Sequence, residues 1–388
     1  GGGGSVGGTG NSSSTVGTPV YETHRFKVVA EAMAAVPVVT AALGPVAGLP
    51  AARLVAAHLS IMSEQNGQVL IAGPAVVERA LGEKKTKEEL GGSKVHTKNG
   101  VIDNPATSEE DAFRQVKTFL SYLPPNVWEL PPVICTDDKP GRSDDALRSI
   151  VPTDRRKLYD MYKVVSTVLD ENSFFEVGPN YGRGQITGIA RLNGVPVGVW
   201  ANNCRYLAGS MTALGARKAR RFIEFCETFH LPIVCFVDEP GFMIGSIAEK
   251  EGTIRDGTAT VLAAACSTVP WASVIVRRSF GVAQAAHYGA APYVIAWPSA
   301  EMGALPVEGG VAVAYHREIA AAADPDAKRA ELEEQLALGQ TPMPRAQSLS
   351  LHDVIDPAKT RTELCRWMEW TQPTLKSLIG PTSFSIRP

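Results

Sequence analysis

The feature that most constrains this chain is a pattern that occurs twice. Near the start, the helix-like run VVAEAMAA leads into Val36-Pro37, an apolar strand follows, and Gly48 lies eleven residues after the proline. Far downstream, TVLAAACST leads into Val269-Pro270, an apolar strand follows, and Gly281 again lies eleven residues after the proline. Each glycine opens a second helical pattern, and each of those leads to a strand ending in proline, VLIAGP at Pro74 and YVIAWP at Pro298. Two copies of a strand, glycine and helix unit imply two α/β domains of one architecture. A length of 388 residues agrees with two cores.

The rest of the chain supports this division. The Gly/Ser-rich opening, residues 1–20, has the composition of a flexible segment. Helical periodicity begins at Tyr21, and PVVTAAL reads as a buried strand followed by a helix over PAARLVAAHL. VLIAG reads as a strand, AVVERAL as a helix, and SEEDAFRQVKTFLSYL as a longer helix capped by Ser108 with Asp111 in its first turn. Proline and charge crowd the stretch from Leu123 to Thr153, which reads as a linker. GQITGIARLNGVPVGVWAN then predicts two strands joined as a hairpin at Asn193-Gly194, followed by the helix GARKARRFIEFCETF and the strand PIVCFVD. The expected domains are 21–150 and 151–388.

Charge excludes some functions. With 38 basic and 40 acidic side chains, no global field draws the chain to nucleic acid or to an anionic membrane. No run approaches the roughly 18 apolar residues of a membrane span. Six cysteines without a CxxC pair point to free thiols and a reducing compartment. His96, His230, His287 and His316 share no metal spacing, so no metal site is expected. They read as structural or surface residues, with His287 of most interest because it follows Gly281 by six residues. GARKARR reads as a solvated helix face, with a phosphate-bearing ligand or a partner as the functional alternative.

The two glycine turns carry no acid, base or nucleophile. Their chemical potential lies in the backbone: glycine permits close approach, and the first amides of a helix lack internal acceptors. Such amides, aided by the helix dipole, hold an oxygen that becomes negative. Strand-glycine-helix turns are common, so one alone says little; two matched copies say more.

Four stretches carry a resemblance: KEELGG at Lys87–Gly92 with His96 after it, GIARLNGVPVGVWAN at Gly188–Asn202, GARKARRFIEFCETFHLPIVCFVDEPGFMIG at Gly215–Gly245, and AWPSAEMGALPVEGG at Ala296–Gly310. From about Val36 onward the chain resembles the carboxyltransferase, or beta, subunits of biotin-dependent acyl-CoA carboxylases. The resemblance implies an α/β chain of two crotonase-like (ClpP/crotonase) β-β-α superhelix domains in tandem. It implies an active site where the N-half of one subunit meets the C-half of another. Acyl-CoA would be held mainly by the N-half, with Gly48 and Leu49 at the enolate oxygen and Ala47 beside them. Carboxybiotin would be held by the C-half, with Gly281 and Val282 at the ureido oxygen and Gly241 and Phe242 on a loop bordering its pocket, while Ala285, beside Gln284, would border the acyl pocket. Biotin would supply both the carboxyl group and the base, leaving the protein to orient and to stabilise oxyanions.

The implied partners are a biotin carboxylase or biotin carboxyl carrier subunit and further copies of this chain, in a trimer of dimers, with a cytoplasmic or mitochondrial-matrix location. Two alternatives stay open: the carboxyltransferase subunit of a biotin-dependent decarboxylase, running the exchange backwards, and a non-catalytic scaffold paralogue. Family members often carry Gly-Gly at both turns, and a β-branched Val282 would damage the second turn if positive φ were needed there. Family chains also begin upstream, and the early strands of the N-half are not in this sequence. Ala285 stands where propionyl-type relatives tend to be acidic, which suggests a bulkier acyl group. Glu239 is the one obvious candidate for a hydratase-like acid or base.

Overall fold

The structure, a computed structural model, describes residues 26–382. The Gly/Ser-rich segment and the helical onset at Tyr21 lie outside that range. Two compact units are present. The first comprises the chain up to Glu129 with Val177–Tyr181 and the chain from Gly380; the second comprises Leu130–Glu176 and Gly182–Ile379. Residue 150 therefore falls inside the second unit. The stretch read as a linker is fastened there: Ile134 N–H donates to Gly194 O, and the Arg361 guanidinium donates to the carbonyls of Asp138 and Lys139.

In the first unit, β1 (Val39–Ala42), β3 (Leu59–Ser63) and β5 (Asn104–Ala106) form a parallel sheet in the order β1-β3-β5, while β2 (Pro45–Ala47) pairs in parallel with β4 (Gln68–Leu70). The helix after Gly48 spans Leu49–Val55, with Pro50 in its first turn. It is shorter than its sequence suggests. Residues 59–63, the run LSIMS, are buried at every position as strand β3, an element absent from the sequence reading, which ends its helix at Leu59; burial on both sides makes it a strand. Helices Pro74–Leu81 and Glu109–Leu120 form as expected, the latter with the Ser108 hydroxyl accepting from Asp111 N–H.

The second unit is built on one sheet of eight strands among the described residues. Its members are β6 (Phe175–Val177), β7 (Gln185–Leu192), β8 (Val195–Asn202), β9 (Ile233–Glu239), β10 (Trp271–Phe280), β11 (Pro292–Ala296), β12 (Glu301–Gly303) and β13 (Asp353–Val354). They run in the order β13-β11-β10-β9-β8-β7-β6, with β12 on β10. Strands β7 and β8 are the antiparallel hairpin read from the sequence, and both turn residues adopt positive φ, Asn193 at 51° and Gly194 at 79°, as a type I′ turn requires. Strand β9 is buried along its whole length, so its near-continuous apolar sequence is that of a covered parallel strand. Helix Ala213–Thr228 contains the basic run, but that run is engaged: Lys218 is buried with its ammonium on Gln185 O, and Arg217 pairs with Asp256.

The repeat is real in three dimensions, at a finer grain than the sequence showed. One constant shift, the 233 residues from Gly48 to Gly281, superposes the pairings: Pro45 with Gln68 becomes Arg278 with Glu301, and Ala47 with Leu70 becomes Phe280 with Gly303. The same shift carries helix Pro74–Leu81 onto helix Val307–Ala314. It also corrects one equivalence. VLIAG is not the counterpart of YVIAW: β4 corresponds to β12, while the counterpart of β11 is β3, each lying parallel to the long strand before the turn.

Candidate functional site

Both turns are built alike. Gly48 has φ 65° and ψ −133°, and Gly281 has φ 64° and ψ −163°. These conformations are open to glycine and strained for any residue with a Cβ. Each glycine uses its own amide in the sheet, Gly48 N–H donating to Leu70 O at 3.2 Å and Gly281 N–H to Gly303 O at 3.1 Å. The amide left for a ligand is therefore that of the following residue. Leu49 opens an α-helix and Val282 a 3₁₀ turn, and the first amide of a helix has no internal acceptor. Positive φ is confined to the glycines, and neither Leu49 nor Val282 is among the non-glycine residues with positive φ. The concern about a β-branched residue is thereby removed. Both side chains point outward, Leu49 45% and Val282 63% exposed.

One cavity is lined by Gly48 and another by the 3₁₀ turn that follows Gly281, and the two share five wall positions under the same shift. The first, about 730 Å³, is lined by Gly48, Ala51, Val55, Val69, Leu70 and Ile71 among others. The second, about 490 Å³, carries Gln284, Tyr288, Met302, Gly303 and Ala304 at the positions equivalent to the last five of those. Their polarity differs. The first is aliphatic but for His96, whose Nε2 meets Val69 O at 2.7 Å and whose Nδ1 meets Asn99 Nδ2. The second presents Gln284, Tyr288, Arg345 and Ser350. Ser279 Oγ bonds both Gln284 Oε1 and the Tyr288 hydroxyl, and burial pushes the Tyr288 phenol up to about 12, so it is a neutral donor. No carboxylate lines either cavity.

The remaining residues singled out by sequence divide. Ala47 is half-buried at the end of β2, next to the first turn. Gly241, at φ 126°, accepts at its carbonyl from Met211 N–H, and Phe242 lies against helix Thr253–Ala265 where Gly257 makes room for its ring. Ala285 is exposed on the 3₁₀ turn and lies outside the walls of both cavities. Sequence reasoning had not foreseen what lies beneath the second turn. Glu239 and His287 are both fully buried and meet at 3.2 Å, His287 Nε2 to Glu239 Oε2. Glu239 also accepts from Gly241 N–H and Asn202 Nδ2, while the His287 ring stacks on Trp200 at 4.1 Å. His287 Nδ1 is buried without a partner, which favours the tautomer with its proton on Nε2. Glu239 thus ties the Gly241 loop to the Gly281 turn from below, without reaching solvent. Burial raises its pKa, a trend opposed by the bonds from His287, Gly241 and Asn202.

Its neighbour Asp238 is shifted the other way. Burial alone would raise it, but Arg278 and Arg277, at 2.7 and 2.8 Å, outweigh that and leave it below the ordinary carboxylate range. Tyr159 completes the cluster with a hydroxyl donated to Asp238 Oδ2. Arg278 also donates to the carbonyl of Ala208. This cluster fixes the ends of β9 and β10 where the second turn begins.

Residues 7–378 match the carboxyl transferase domain family. This chain belongs to that family. Over 345 residues it is 38% identical to a propionyl-CoA carboxylase carboxyltransferase subunit of Haloferax mediterranei, covering 87% of this chain and 67% of that protein. Over 330 residues it is 34% identical to the alpha subunit of methylmalonyl-CoA decarboxylase of Veillonella parvula, covering 84% and 64%. Among solved structures, the hexameric transcarboxylase 12S with methylmalonyl-coenzyme A bound aligns with a TM-score of 0.84 at 33% identity, over 90% of this chain and 68% of that one. The carboxyltransferase chain therefore has the crotonase-like α/β fold, and it spans about two thirds of the length of these relatives. No helix among the described residues is long and apolar enough to cross a membrane.

Proposed function

We propose that this chain is the carboxyltransferase component of a biotin-dependent acyl-CoA carboxylase, moving a carboxyl group from carboxybiotin to the α-carbon of an acyl-CoA. The observation that carries the reading is the pair of glycine turns in identical register, each leaving the next residue's amide unused, with Gly48 in the wall of one cavity and Gln284, three residues past Gly281, in the wall of the other. The Leu49 amide, next to Gly48 in the aliphatic cavity's wall, suits the thioester oxygen as it becomes an enolate. The Val282 amide, two residues before Gln284 in the polar wall, suits the ureido oxygen of biotin, and the Gln284 amide nitrogen adds a donor there. Bound carboxybiotin supplies the carboxyl group and, once relieved of it, the base. That division of labour fits two cavities without a carboxylate, and it leaves a hydratase-like role for Glu239 without a route to substrate. This chain's residues then orient both reactants and stabilise oxygen charge, which is where preorganised donors have their largest effect.

Partner copies of this chain and a subunit bearing biotin belong to the same proposal. The decarboxylase reading uses the same turns in reverse, and sodium-dependent decarboxylation in membranes would favour it. The scaffold reading rested on Leu49 and Val282, and both keep ordinary φ with the amide in place.

The test deletes the amides themselves. Proline is well tolerated as the first residue of a helix, where its missing N–H costs no internal bond. Leu49→Pro and Val282→Pro are therefore expected to assemble normally and to lose about 10²–10³ in kcat, the usual consequence of losing one oxyanion donor. The assay supplies carboxybiotinylated partner and a panel of acyl-CoAs and reads products by mass. Either variant retaining wild-type turnover would remove that amide from the mechanism.

A further inference from the structure

The two cavities share a layout and differ in lining, and the difference carries information about the acyl group. We propose that the cavity beside Gly48 takes the hydrocarbon chain of the thioester, and that the substrate is a medium-chain acyl-CoA of at least about six carbons; this rests on the carboxyltransferase reading above. The first argument is size. At about 30 Å³ for a group the size of a water molecule, even half of the 730 Å³ holds about a dozen heavy atoms, against three carbons of a propionyl group.

The second argument is chemistry. The side chains of Ala51, Ala52, Val55, Val69, Ala72 and Val77 offer the chain only methyl and methine surface. The pantetheine arm of coenzyme A carries two amides that need partners when buried. The one polar side chain of the wall, His96, already has Nε2 on Val69 O and Nδ1 on Asn99. A hydrocarbon tail fits this wall and an amide-bearing arm does not. The third argument is the contrast within the chain: the equivalent wall positions of the second cavity hold Gln284 and Tyr288 where the first holds Ala51 and Val55. The fold thus permits polar lining at these positions, and the first cavity has none there. Its small side chains leave the volume open, and the Leu49 amide, next to Gly48 in the wall, sets where the thioester oxygen stops and the chain begins.

The experiment uses the full chain with its carboxybiotinylated partner and the CoA esters of propionate, hexanoate, octanoate and decanoate. Each buried methylene is worth about fourfold in affinity, so kcat/KM should climb with chain length and exceed the propionyl value at least tenfold by octanoyl. Val77→Phe fills the cavity from its helix, and the octanoyl-to-propionyl ratio should then fall at least tenfold. Val77→Ala enlarges the cavity and should move the preferred chain to a longer ester, a readout that survives if the phenylalanine variant does not fold. Calorimetry of the same esters separates the two proposals. Binding that tightens with chain length without any carboxylation would overturn the transfer reaction and keep the chain pocket. Carboxylation of propionyl-CoA with octanoyl-CoA rejected, or a length preference that neither variant moves, would overturn the chain pocket.

Discussion

Asp238 and Glu239 are consecutive, both fully buried, and shifted in opposite directions. For Asp238 the native pKa lies below the unfolded value near 3.9. Its contribution is present above that value and is lost as pH falls through the lower native one. Asp238→Asn leaves the buried Arg277 and the half-buried Arg278 without their counter-ion, and about 3–5 kcal/mol of stability should go, read as a drop in the denaturant midpoint at neutral pH. For Glu239 the native pKa is raised, so its contribution is fully present below the unfolded value near 4.3 and is lost as pH rises through the native pKa. Glu239→Gln should therefore gain on the wild type, in relative stability, as pH is raised from about 4.5 to 8. Carboxylation by this variant should stay within about tenfold of wild type, because the side chain positions the turn and touches no reactant; a loss the size of a missing general base, about 10²–10⁴, would restore the hydratase-like role. At Gly48 the structure also redirects mutagenesis. Proline there would oppose φ 65° and break the bond to Leu70 O, so an inactive Gly48→Pro would report damage to β2 and β4 as much as loss of a donor.

At the scale of elements, the hairpin β7–β8 is held by more than its ladder. Asp170 accepts from Asn193 N–H and Gly194 N–H at the tip of the turn, and its carboxylate is paired at 2.8 Å with Arg361 of the final helix, Thr360–Ser377. Arg361 is buried and also donates to the carbonyls of Val168, Asp138 and Lys139. One guanidinium thus gathers four segments of the second unit. Arg361→Met should cost about 3–5 kcal/mol through an uncompensated Asp170, seen as a lowered unfolding midpoint. The chain-length preference set in the first unit should be unchanged in whatever fraction stays folded. A variant as stable as wild type would mean that Asp170 finds water or another donor when Arg361 is gone.

At the scale of the whole molecule, duplication gives two sites from one design and lets them diverge. The register around the turns is kept to the residue, while cavity walls drift from aliphatic to polar. Backbone donors tolerate that drift because their position depends on the glycine φ and the strand pairing, not on side chains. If this chain assembles as a trimer of dimers, sedimentation of the full protein should give a single species of six copies, and a monomer competent in carboxyl transfer would contradict it.

The sequence alone determined the repeat, the two turn glycines, the hairpin at Asn193-Gly194 and the family, because proline, glycine and alternating strands are local signals that need no partner to be read. It missed β3 and so mispaired the second half of the repeat: LSIMS has no polar face, and only its burial between β1 and β5 makes it a strand. It named both residues of each turn, Gly48 with Leu49 and Gly281 with Val282, and only the pairing with Leu70 and Gly303 shows that the glycine amides are consumed and that those of Leu49 and Val282 are left. The Glu239–His287 contact, the arginines on Asp238 and the contrast between the cavities join residues far apart along the chain. No local pattern encodes such meetings; they exist because parallel strands bring the ends of distant segments to one edge of a sheet.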